Sequence, residues 1–317
     1  LLLQAARLVT PALRTAGELL SRRKGRVTAM IDVHVHLGRA ASGKEPPVTG
    51  EELLRRMDEL GIQRAVILPL VSPEVMYAPS TTEDALEVAA RHPDRLLAFC
   101  NVDPRCGTNS PDMDFSWMLQ EYKDAGCLGL GEVTANLAFD EPLCLNLYRH
   151  CGRVGFPILF HMATRVSYGL YGLADEIGLP RLERSLRECP ETIFIGHAMA
   201  FWAEISADVD EQTRGGYPKE PVRKFGRVPE LMAKYPNLYA DISAGSGFNA
   251  LTREPEFGYR FLEEHQDKLL FGTDICHVNQ DVPIVPWFNN ALSSGRISRT
   301  CYDKVARKNA ERLLGLT

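Results

Sequence analysis

Ile31-Asp32-Val33-His34-Val35-His36-Leu37-Gly38 reads as a short apolar strand ending in two histidines one residue apart. Residues two positions apart on a strand point to the same face, so both imidazoles project together and can share a metal ion. The alternative is a pair of core histidines bonded to backbone, which buries two titratable rings for no evident packing gain.

Outward from this stretch, similar short runs recur at 64–70, 96–103, 127–133, 157–163, 193–199, 238–244 and 269–275. Helical patterns lie between them. Thr49-Gly50-Glu51-Glu52 has the form of a capping box before Leu53, Leu54, Met57 and Leu60, and Gly61 supplies the stop. Further helical patterns cover 115–125, 143–154, 181–188, 229–235, 256–265 and 302–316. Eight nearly continuous apolar strands alternating with helices favour a closed (β/α)8 barrel of the α/β class over an open sheet. Such a barrel takes about 250 residues, so the 317 residues are read as one domain, 30–317, with an N-terminal extension, 1–29.

That extension is basic, with Arg7, Arg14, Arg22, Arg23, Lys24 and Arg26 against Glu18 alone. It lacks the apolar block of a secretory signal and is expected to be peripheral or dispensable. The net charge of −5 argues against a broad nucleic-acid footprint. No apolar stretch approaches the ~20 residues that span a bilayer. Eight cysteines with no C-x-x-C pair suit a reduced, cytoplasmic protein rather than a disulfide framework.

Catalytic groups of such barrels sit at the C-terminal ends of the strands. His34 and His36 end the first expected strand, Glu132 the fourth, His161 the fifth, His197 the sixth and Asp274 the eighth. Nitrogen and carboxylate donors suit Zn²⁺ first, with Mn²⁺ or Fe²⁺ also possible. A bound cation would bring a water's pKa from 15.7 to about 7, with Asp274 as general base and then proton donor to the leaving group. Glu132 either bridges two cations or orients a histidine beside one, and in the second case His197 is a free proton donor or electrophile. His92 and His265 at helix ends and His150 within a helix are read as structural or solvated.

The strand-end residues, with Asn237-Leu238-Tyr239-Ala240-Asp241-Ile242-Ser243, Leu269-Leu270-Phe271-Gly272-Thr273-Asp274 and Asn309-Ala310-Glu311-Arg312-Leu313-Leu314-Gly315-Leu316, carry a resemblance. From about residue 31 to 316 the chain resembles the amidohydrolase superfamily, in its amidohydrolase-2 branch of TIM-barrel metal-dependent hydrolases. The resemblance implies metal at His34, His36, His161 and Asp274, with His197 a ligand or a catalytic group. That branch contains hydrolases, lactonases among them, and non-oxidative decarboxylases of aromatic or unsaturated acids. The decarboxylases usually hold one metal and lack a fourth-strand ligand, so Glu132 departs from their pattern. Gly131-Glu132 is instead similar to the bridging glutamate of TatD-type nucleases, which favour Glu-Thr-Asp where this chain has Gly272-Thr273-Asp274.

The expected activity is hydrolysis of an ester, lactone or amide of a small molecule. Decarboxylation and phosphodiester cleavage are the alternatives, and a scaffold that kept the ligands without turnover is a further one. Arg105, Arg165, Tyr168, Tyr171 and Trp202 fall in loops expected around the mouth, where guanidinium groups suit a carboxylate, although structural roles explain each equally well. His277, just past Asp274, either touches substrate or is an idle loop residue. The long loop from about 201 to 227 reads as a lid or a homodimer contact.

Overall fold

The computed structural model describes residues 29–38, 46–75 and 80–316, so the expected basic extension lies outside the described residues except for position 29. Its strands are β1 (Met30–Val35), β2 (Ile62–Ile67), β3 (Leu96–Ala98), β4 (Leu130–Val133), β5 (Ile158–Ala163), β6 (Leu173–Ala174), β7 (Phe194–His197), β8 (Leu238–Asp241) and β9 (Leu269–Leu270). They form two parallel sheets, β1-β2-β3 and β4-β5-β7-β8-β9, with β6 added to β5.

Parallel bridges join these sheets at both seams, Val35 to Ile275 and Cys100 to Leu130. Val33 N donates to Phe271 O and Leu128 N to Ala98 O, each at 3.0 Å. Eight strands therefore close into the (β/α)8 barrel that the sequence indicates, with β6 as an accessory.

The strands are shorter than the apolar runs because the last residues of each run leave the ladder to build the rim. After β3, Asn101 Nδ2 instead donates to Pro69 O and Glu132 O, both at 2.6 Å, tying three rim segments together.

The helix Gly50–Leu60 begins as its sequence dictates: Thr49 Oγ1 accepts from Glu52 N at 3.2 Å, and Gly61 stops it at φ 73°. Ser116–Asp124, Pro142–Val154, Pro180–Glu188, Arg227–Lys234 and Pro255–His265 follow the expected patterns closely. The last pattern divides into Arg299–Asp303, a π-helical turn Lys304–Lys308 and Asn309–Leu314. The helices Thr82–Arg91, Ala244–Thr252 and Ile284–Ser293 were not anticipated. Thr82–Arg91 buries only Thr82 and Ala85, too little for an apolar stripe.

Two apolar clusters form the core. The larger lies between strands and helices. The smaller contains Ile31, Val33, Val66, Leu68, Phe99, Leu159, Ile195, Tyr239 and Leu270, and because seven strand segments contribute to it, it is the barrel interior. On β5, β7 and β8 the residue two positions after the interior one is His161, His197 or Asp241, so plain alternation aims these side chains at the barrel axis. On β1 a register shift between Asp32 and Val35 puts Val35 in the outer cluster and leaves His34 and His36 to turn inward.

Candidate metal centre

His36 Nδ1 lies 2.9 Å from Leu68 O, which can only accept, so Nδ1 carries the proton and Nε2 offers a lone pair. His34 Nδ1 lies 2.7 Å from Asp241 Oδ2, which gives His34 the same tautomer. The two Nε2 atoms are 3.0 Å apart. Two neutral imidazoles so arranged face each other lone pair to lone pair, a contact that calls for a cation or a proton between them. The donor set therefore fits a divalent metal.

Both carboxylates converge on this point. Asp274 Oδ1 lies 3.4 Å from His34 Nε2 and 3.3 Å from His36 Nε2. Glu132 Oε2 is 3.8 Å and 3.4 Å from the same atoms, while its Oε1 pairs with His161 Nδ1 at 2.8 Å. His197 Nε2 is 3.8 Å from Glu132 Oε1 and 4.0 Å from Asp274 Oδ2. Among the described residues two sets have ligand atoms mutually within 4.8 Å, His34–His36–Asp274 and His34–Glu132–His197. All six residues expected at the rim are thus brought together, with His161 engaged through Glu132.

Burial opposes charge throughout, yet the opposite charges prevail. Against burial, Asp241 and Asp274 hold His34 well above its ordinary pKa, and Asp241 raises His197. Against burial, His161 and His34 hold Glu132 well below the usual carboxylate range, and His34, His36 and His197 lower Asp274. Asp241 is lowered by His197 and His34 against its own desolvation.

The backbone around the site is specialised. Ala198, Ala244 and Asp274 adopt positive φ of 87°, 60° and 60°, a region that non-glycine residues seldom occupy. Asp32 clips the first strand to the last: Oδ1 accepts from His34 N and Thr273 N, both at 3.0 Å, and Oδ2 from Thr273 Oγ1 at 2.5 Å. At Gly172, φ is 100° and a Cβ would meet the His161 ring at 2.7 Å, so only glycine fits beneath that imidazole.

Asp241 and Ser243 were missed as site residues. Asp241 Oδ2 takes His34 Nδ1 at 2.7 Å and Oδ1 takes His197 Nδ1 at 3.0 Å, while Ser243 Oγ donates to Asp241 Oδ1 at 2.6 Å. The signal was present, since Asp241 is the carboxylate near the end of the seventh apolar run, where the strand-end rule applies as it does elsewhere.

Of the residues expected around the mouth, Arg105 and Trp202 are engaged elsewhere. Arg105 is committed to Asp103 and, in a two-pronged pair at 2.8 Å, to Glu74, so its guanidinium is not free for a substrate carboxylate. Trp202 is buried, its Nε1 donating to Asp241 O at 3.0 Å, so it supports the site from the core rather than lining the mouth. Tyr168 is fully exposed and Arg165 is exposed. His277 is half-buried, and its Nδ1 has no hydrogen-bond partner among the described residues. Tyr171 lies against His161, its ring 4.5 Å away. His150 is structural, its Nδ1 2.9 Å from Asn146 O. A cavity of about 120 Å³ opens beside His161, walled by Met162, Leu170, Tyr171, Met199, Ala200 and Gly215.

All eight cysteines are free thiols, and among the described residues no helix is long and apolar enough to cross a membrane.

No curated protein matches this chain. Similar solved structures include 5-carboxyvanillate decarboxylase from Sphingomonas paucimobilis, at 15% identity and TM-score 0.58, covering 91% of this chain and 99% of that one. A probable 2-pyrone-4,6-dicarboxylic acid hydrolase from Acinetobacter baumannii, with citric acid bound, matches at 12% identity and TM-score 0.56, covering 91% and 100%. A dihydroxybenzoic acid decarboxylase from Polaromonas, with manganese and 2-nitroresorcinol bound, matches at 17% identity and TM-score 0.57, covering 91% and 97%. At these identities the likeness shows the fold. The sequence profile of the amidohydrolase family matches residues 31–316, nearly the whole described barrel, and the chain belongs to that family.

Proposed function

We propose that this chain is a metal-dependent hydrolase acting on an ester, lactone or amide carbonyl of a small molecule. The observation that carries this reading is Asp274 Oδ1, 3.3–3.4 Å from two histidine Nε2 atoms whose rings are held from behind. His34, His36 and Asp274 would hold the cation, with Glu132 and His197 beside them. Both candidate sets draw on the single His34 Nε2, so they cannot be filled together, and we infer one cation per chain. Zn²⁺ suits the nitrogen and oxygen donors, as does Mn²⁺.

When bound, the cation supplies a Lewis acid that polarises a carbonyl and acidifies water. Asp274 takes the proton from water and returns it to the leaving group. Asp241 fixes the tautomers of His34 and His197, leaving both Nε2 atoms directed at the centre. Glu132 orients His161 beside the cavity that Met162, Leu170 and Met199 help to line.

A second reading, non-oxidative decarboxylation of an aromatic or unsaturated acid, is favoured by the decarboxylases among the structural neighbours and by a single-cation site. Metal-loaded protein assayed against lactones, esters and amides, and in parallel for CO₂ release from hydroxybenzoates, separates the two. Hydrolysis that falls at least ~100-fold in Asp274→Asn supports the first reading. CO₂ release without hydrolysis replaces it with the second.

A further inference from the structure

The segment between β7 and β8 is fastened at its base and at its middle. Ser206 bridges Phe225, Ala207 N donates to Lys224 O at 3.1 Å, and Gly226 N donates to Ile205 O at 2.8 Å. In the middle Arg214 is fully buried, its Nε 2.7 Å from Glu204 Oε1 and its Nη1 donating to Asp175 O at 2.6 Å. Next to it Gly215 forms part of the cavity wall beside His161.

Tyr217 stands three residues past this anchor. Its phenol lies on the Gly245 backbone, where an added Cβ would come within 3.2 Å of the hydroxyl. Asn249 Nδ2 donates to Pro218 O at 3.1 Å and holds the next residue from the other side. Ala244 N in turn reaches Thr273 O at 3.4 Å, so Gly245 and Asp274 belong to adjoining parts of the rim. The Tyr217 side chain is about half exposed, and its hydroxyl makes no hydrogen bond among the described residues. A tyrosine phenol is protonated near neutral pH and so is available as a donor.

We propose that Tyr217 contacts substrate directly, its hydroxyl donating a hydrogen bond to the substrate oxygen held over Asp274. The fastened backbone on either side sets the donor in place before substrate arrives, so little ordering cost falls on binding. A carbonyl, carboxylate or phenolic oxygen satisfies this geometry, and an oxygen-free group at that position does not. The inference rests on the reading of the rim as an active site.

The test is calorimetric titration of metal-loaded protein with benzohydroxamate, which combines a metal-chelating oxygen pair with an aromatic body. Tyr217→Phe keeps the packing on Gly245 and removes only the hydroxyl. The expected result is roughly three- to tenfold weaker binding with unchanged metal content and melting temperature. Equal affinity in Tyr217→Phe overturns the assignment and leaves the metal site standing. Failure of the unmodified, metal-loaded protein to bind the probe overturns the active-site reading itself, and the Tyr217 proposal with it.

Discussion

The Asp241 carboxylate accepts from two histidines at once, His34 Nδ1 at 2.7 Å and His197 Nδ1 at 3.0 Å, and so sets both rings from behind the candidate metal centre. Its own position is fixed by Ser243 Oγ at 2.6 Å and, through its carbonyl, by the Trp202 indole at 3.0 Å. One residue on β8 thereby orients donors on β1 and β7.

Asp241→Asn removes the acceptor from one of these rings and frees its tautomer. Metal affinity, read by competition with a chromogenic chelator, is expected to fall roughly 10- to 100-fold. Affinity equal to that of the unmodified chain would remove Asp241 from this role.

Glu132→Ala is expected to weaken metal binding while leaving one equivalent bound at saturation, because the His34–His36–Asp274 set stays intact. Elemental analysis after dialysis is the measurement. Two equivalents in the unmodified chain, falling to one in the variant, would make Glu132 a bridge and replace the single-cation inference.

Arg214→Ala strands Glu204 in the interior without its cation. The pair is close but poorly aligned for a hydrogen bond, so the loss is chiefly ionic. Unfolding free energy is expected to drop by about 3–5 kcal/mol, with faster hydrogen exchange across residues 206–226. Denaturant titration and exchange mass spectrometry check the two parts separately.

Asp175 gives a pH dependence away from the metal centre. Burial holds its carboxyl up at about 7 from 3.8, although the backbone N–H groups of Glu176, Arg181 and Leu182 all donate to it. Arg214 is its cationic neighbour and Glu176 its anionic one, while the Arg181 guanidinium beside them is paired with Glu176 and Asp140. Between 3.8 and about 7 the folded chain binds a proton here that the unfolded chain has released. Stability from this group therefore declines as pH rises across that window. The melting temperature of the unmodified chain minus that of Asp175→Asn is expected to be smaller at pH 8 than at pH 5, and a constant difference would refute the linkage.

The barrel was legible because its strands are buried on both faces and read as apolar runs that length and spacing alone identify. The six rim residues were legible by their place at the ends of those runs. Asp241 obeys the same rule but shows its role only through its partners, His34 and His197, which are distant in sequence. The loop residues could not be read in this way. Arg105 and Trp202 look available in a linear chain, and only folding shows Arg105 held by Glu74 and the Trp202 indole spent on a carbonyl. Helix Ala244–Thr252 escaped notice because Gly245 and Gly247 weaken its pattern, yet a Cβ at Gly247 would lie 2.5 Å from Ile242 O.

The clip made by Asp32 has a consequence for biosynthesis. The amide of His34 and both donors of Thr273 meet on one side chain, although 239 positions separate those two partners in the chain. A nascent polypeptide still short of its final strand carries two histidines with neither Asp274 nor this brace behind them. The His34–His36–Asp274 set is therefore assembled only when the two ends of the barrel meet, which ties cation uptake at that set to completed folding.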